Sequence, residues 1–137
     1  IRLKKMSAIK QIENIEDVKL LVDTFYGKVQ EDEILKDVFN NVIQNRWSQH
    51  LEKMYRFWQT VLLDDERTYF GAPFPPHAQL PVDAVHFERW LKLFYGTVDS
   101  LFIGERAERA KWQGNRMAEM FLYKIQYYRN NDVIPLA

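Results

Sequence analysis

The stretch 69–81, YFGAPFPPHAQLP, carries four prolines, one glycine, two phenylalanines and a single histidine, His77. Proline removes a backbone donor and clashes with the preceding turn, so no helix runs through it. A solvated loop would be polar, yet Phe70, Phe74 and Leu80 would all have to face water here. The stretch reads better as a short stiff segment packed over something. Its prolines lower the entropy lost on ordering. A nearby free carbonyl could hold one ring nitrogen of His77 and leave the other for a metal. The same stretch decides between architectures. A four-helix bundle joins its helices by short loops, whereas the connection from about 64 to 81 is long, and long connections in compact domains tend to be functional.

The flanks on both sides are helical. Asn14 is placed to cap a helix whose first turn holds Glu16 and Asp17. Val18, Leu21, Val22, Phe25, Tyr26 and Val29 then recur at spacings of three and four, which predicts a helix to about residue 30. A shorter apolar segment from Ile34 to Ile43 contains Phe39. A second long helix starts near Trp47, with His50, Met54, Phe57 and Trp58 on its inner stripe. Beyond Pro81, Phe87, Trp90, Phe94 and Val98 mark a third, and Gly104 is a plausible stop before a fourth. Small residues at Ala107, Ala110 and Gly114 would let another helix approach that last one closely. No strand-like alternation, repeat or low-complexity tract is present. Residues 1–13 are polar and mixed, and are expected to be a mobile or loosely docked arm. Residues 14–130 form one domain and 131–137 a tail.

With 137 residues the chain can bury one sizeable core. Nineteen basic and nineteen acidic residues leave no net field to draw nucleic acid or an anionic membrane. The absence of cysteine removes disulfides, thiolate nucleophiles and Cys-based metal sites. No apolar run is long enough to span a membrane, and IRLKKM at the start lacks a signal-peptide core, so the expected setting is the cytoplasm. Nine Phe, seven Tyr and four Trp suit either a dense core or a pocket with flat walls for a planar ligand.

Three histidines are the main metal or haem-iron candidates: His50 on its apolar stripe, His77 in the proline-rich stretch, and His86, which ranks behind His77 as a ligand. On spacing alone His50 reads as a core histidine with a hydrogen-bond partner. The three lack the i,i+4 pairing of a helical zinc site. The acidic runs EDE at 31–33 and DDE at 64–66 read as solvated charge at helix ends. Tyr26 and Trp90 face inward and carry donors that need acceptors; together they could hold a small electron-rich ligand.

DTFYGKVQEDEIL (23–35), VFNN (38–41), WSQHLEKMYRFW (47–58), the 69–81 stretch and FERWLKLF (87–94) occur in this order. As a set they resemble the truncated haemoglobins, specifically the third group, found in bacteria, over roughly residues 14–128. The absence of any Gly-Gly pair agrees with that group. The resemblance implies an all-α, shortened globin fold, two helices over two, around haem b. By position it makes His77 the proximal iron ligand, His50 a residue of the distal helix, and Tyr26 and Trp90 distal hydrogen-bond donors. Phe39 would pack on the haem, with Phe25, Met54, Phe57, Leu80 and Phe87 as further contacts by their facing. Arg46, Lys53, Arg56 and Arg89 are the candidate propionate partners, with none singled out.

The ligands implied are O2, NO, CO and peroxide. Two strong donors slow release, which favours O2 or NO chemistry, NO dioxygenation or a peroxidase-like reaction over oxygen transport, with a separate reductase and a monomeric protein. Two alternatives stay open. One is a haem-based sensor or electron partner. The other is a cofactor-free helical interaction domain whose rings only fill a core.

Overall fold

The computed structural model describes residues 8–63, 69 and 81–131. They form five α-helices: α1 (Ile15–Val29), α2 (Lys36–Ile43), α3 (Trp47–Leu62), α4 (Ala84–Leu101) and α5 (Glu105–Asn131). A single 3-10 turn, Gln44–Arg46, joins α2 to α3. Among the described residues there is no β-strand, only an isolated bridge between Lys10 and Phe102.

Local chemistry sets the helix ends. Asn14 is extended, and its Oδ1 accepts the Asp17 N–H at 3.0 Å, closing one of the free donors at the start of α1. At the start of α4 the Asp83 N–H donates to His86 Nδ1 at 3.0 Å. Arg129, near the end of α5, donates to Asp83 Oδ1 and to the Val82 carbonyl, which ties the two helices together. Gln44 closes α2 at φ 54°, a conformation that strains a non-glycine residue and turns the chain towards α3.

The apolar face of α1 (Val18, Leu21, Val22, Phe25, Val29) is wholly buried. α1 packs on α3 and on α4, α4 packs on α5, and α3 meets α5, giving two helix pairs laid one over the other. The small residues of α5 act as expected: Ala107 and Ala110 are buried. An added Cβ at Gly114 would lie 3.1 Å from the Phe94 ring and 3.3 Å from Trp90. At that crossing Phe94 is sandwiched between Trp58 and Trp90, with ring centroids 5.1 Å away on both sides.

Two expectations are corrected. Residues 8–13 are not loosely docked. Ile12 is 1% exposed, the Ile103 N–H donates to the Lys10 carbonyl at 2.9 Å, and Arg106 donates to the Ile12 carbonyl at 2.9 Å. One apolar side chain and two backbone acceptors anchor a segment whose average composition is polar. Asp32, read as solvated charge, is buried and bonded. One carboxylate oxygen accepts the Ile34 and Leu35 N–H groups at 3.0 and 3.1 Å; the other accepts Arg89 Nε at 2.7 Å. The acidic run at 64–66 lies outside the described residues.

Candidate ligand pocket

Helices α1, α2, α3 and α4 each bring rings to one region. Tyr26 is 6% exposed at the end of α1, and its ring meets four others. Phe25 lies 4.9 Å away, His50 5.0 Å, Trp47 5.9 Å and Phe39 6.1 Å between centroids. His50 and Trp47 lie three apart on α3 and stand edge-on to each other at 5.7 Å, as helical spacing allows. Trp90 joins the group through Phe25, at 5.2 Å and nearly perpendicular, and stacks on Phe94. Phe39, Trp47, Met54 and Trp90 pack against the core yet are only partly buried. Large apolar side chains on three neighbouring helices that stop short of full burial make a wall suited to a flat apolar group.

Tyr26 adds a polar atom to that wall. The residue is 6% exposed, and its hydroxyl is the donor that α1 brings to this ring cluster. Burial pushes its ionisation well above the ordinary tyrosine value, so the hydroxyl stays a donor at neutral pH. The residues present therefore fit a planar apolar group that carries an acceptor on this side.

Of the residues singled out from the sequence, Tyr26, Phe25, Phe39, His50 and Trp90 come together here. Met54 lies one turn beyond His50 on α3. Phe87 is half-buried in the first turn of α4. Phe57 is buried with a different ring pair, Trp58 at 5.1 Å and Tyr69 at 5.3 Å. His77 and Leu80 lie outside the described residues. His86 is occupied in capping α4. Three of the four basic residues offered as propionate partners hold internal contacts. Arg46 donates to the Val42 and Ile43 carbonyls, Arg56 meets Glu52 and Gln59, and Arg89 meets Asp32. Among the described residues no cluster of three or more His, Cys, Asp or Glu could hold a metal ion.

Trp47 is the pocket residue that sequence reasoning passed over. Its Nε1 donates to Asn40 Oδ1 at 3.2 Å, bridging α2 to α3 beside Tyr26. Its place three residues before His50 on one stripe was the available signal. Asn40, the first asparagine of VFNN, had none.

Two helix pairs crossed over each other, with a half-covered aromatic wall between them, define a small globin-type protein. Residues 9–122 match the family model for bacterial-like globins. The chain is 34% identical over 118 residues to the group 3 truncated hemoglobin ctb of Campylobacter jejuni, an alignment covering 81% of this chain and 92% of that protein. The crystal structure of a group III truncated hemoglobin from Campylobacter jejuni superposes with a TM-score of 0.76 at 30% identity, covering 86% and 95% of the two chains. The chain belongs to the bacterial-like globin family and is a truncated haemoglobin of the third group. Membership implies a haem-binding protein for small ligands. Among the described residues no helix is long and apolar enough to cross a membrane.

Proposed function

We propose that this protein binds haem b, whose iron His77 would hold, and takes O2 or a related diatomic that Tyr26 and Trp90 would contact. The observation that carries this reading is the ring cluster around Tyr26, a residue 6% exposed on which Phe25, Phe39, Trp47 and His50 converge from three helices with centroids 4.9 to 6.1 Å away. A bound haem supplies an iron centre that accepts diatomic ligands. Phe25, Phe39, Met54 and Phe87 would cover its apolar faces together with Leu80, while Phe57 would act from behind, through its packing on Trp58.

Tyr26, kept protonated by burial, and Trp90, whose indole only donates, would hold the ligand by hydrogen bonds. Such bonds strengthen when the acceptor carries negative charge. The protein would then release O2 slowly, which suits NO dioxygenation or a peroxidase-like reaction better than oxygen transport. His50, edge-on to the Tyr26 ring, would limit the room for a ligand there. The same reading sets the protein in the cytoplasm, with electrons from a separate reductase and with NO, CO and peroxide as further ligands.

The test is the O2 dissociation rate of the haem-loaded protein. A hydrogen bond to a charged acceptor contributes about 1.5–3 kcal/mol, so Tyr26→Phe or Trp90→Leu should speed release roughly ten- to hundred-fold. Unchanged rates in both variants would remove these residues from the ligand. Loss of the Soret band in His77→Ala, with recovery on adding imidazole, checks the iron ligand separately.

A further inference from the structure

Among the described residues nothing covers one face of α5. Trp112, Met120, Tyr123 and Tyr127 recur at helical spacing and are 59%, 39%, 71% and 49% exposed. Ala107, Gly114, Ala118, Phe121 and Ile125, on the opposite side of the same helix, face the core. Single exposed apolar residues are ordinary. A stripe of large apolar side chains about 22 Å long, at ~1.5 Å per residue, is the kind of surface that marks an interaction site.

Two charges interrupt the stripe. Arg116 lies over the Trp112 ring at 5.6 Å. Glu119 accepts a hydrogen bond from Asn115 at 3.2 Å. Among the described residues neither takes part in an ion pair, although Lys111 next door has two.

We propose that this stripe is a self-association face, on which α5 of a second copy packs antiparallel about a two-fold axis passing between Met117 and Ala118. Arg116 and Glu119 are equidistant from that midpoint, and so are Trp112 and Tyr123. A two-fold contact repeats every pair. One alignment therefore brings Arg116 against Glu119 twice and Trp112 against Tyr123 twice. A parallel alignment sets Arg116 against Arg116. Sliding the antiparallel pair by one turn sets Arg116 against Tyr123 and leaves both charges unmatched. Membrane-surface helices border their rings with basic residues, whereas Glu105, Glu108 and Glu119 lie along this stripe. A single helix per subunit gives a small interface of the transient class. This departs from the monomer expected from the sequence, and it does not depend on what the pocket binds.

Sedimentation of the full haem-loaded chain over about 5 to 500 µM tests it. The mass should rise from 16.5 kDa towards twice that value with concentration. Arg116→Glu places like charges in contact and Tyr123→Glu buries a charge, so each should move the association midpoint at least about ten-fold higher. The double variant Arg116→Glu with Glu119→Arg rebuilds both ion pairs and should restore association. A chain that stays monomeric throughout, a dimer indifferent to both single variants, or a double variant no better than Arg116→Glu would each overturn the proposal.

Discussion

Gly114 of α5 faces the Phe94 and Trp90 rings of α4 with no room for a side chain, and replacing it with alanine sets two effects against each other. Alanine is the better helix former by about 1 kcal/mol in a helix interior. Its methyl group would stand 3.1 Å from Cδ2 and Cε2 of Phe94 and 3.3 Å from Cζ3 of Trp90, closer than ordinary van der Waals contact. Neither ring has an easy retreat. Phe94 is fully buried between Trp58 and Trp90, with both faces covered at 5.1 Å.

Overpacking a filled core costs about 1–3 kcal/mol. Gly114→Ala should therefore destabilise by a net ~1 kcal/mol. Gly96 is the control. It lies mid-helix in α4, and an added Cβ there meets nothing within 4 Å. Gly96→Ala should stabilise by about 1 kcal/mol. The two variants should separate by ~2 kcal/mol, or roughly 8 °C in Tm for a chain of this size. Thermal and urea unfolding followed by far-UV circular dichroism, at one concentration and one haem occupancy, measures the gap. Since Trp90 must shift to make room, Gly114→Ala should also change the near-UV spectrum. A Gly114→Ala protein as stable as Gly96→Ala would mean that the crossing is looser than the ring stack implies.

The buried Asp32 makes stability depend on pH. Burial alone would raise its ionisation, but the bonds from Arg89, Ile34 and Leu35 and the Arg89 charge outweigh it and hold the carboxyl below its usual range. A depressed carboxylate stabilises the fold above its unfolded value of about 3.9, and that contribution is lost as pH falls through the folded value. Acid unfolding curves should therefore be shallower below about pH 4 in Asp32→Asn, which should also cost about 3 kcal/mol at neutral pH by unpairing Arg89. Tyr55 is raised to about 12, chiefly by burial and then by its bond to Asp23. Its neutral form stabilises the fold below the ordinary tyrosine range, and that contribution fades as pH rises towards about 12. Spectrophotometric titration should show a group of late-ionising tyrosines, one of which moves to lower pH in Asp23→Asn.

How far the chain could be read in advance depended on whether a feature was periodic. The helices, the capping by Asn14 and the inward turn of Phe25, Tyr26, Trp90 and Phe94 all follow from spacing and end chemistry, because burying one face of a helix leaves a repeat in the sequence. The errors have the opposite character. Ile12 is a single apolar residue in a polar segment, so no average detects that it is anchored. Asp32 looked like one more acid in EDE. Only the fold brings Arg89 to it across fifty-seven residues, and only local geometry aims two backbone N–H groups at it. His86 reads as a potential ligand until its partner, the Asp83 N–H, is seen to be a backbone group three residues away. The exposed stripe on α5 escaped for a related reason. Trp112, Tyr123 and Tyr127 have helical spacing of their own, about half a turn around the helix from the buried series. Hydrophobicity gives the period of a face but not which of two faces the core will take. Ala107, Ala110 and Gly114 decide that, because only the face of small residues lets α4 come close enough to bury the Trp58–Phe94–Trp90 stack, and the larger rings are left outside.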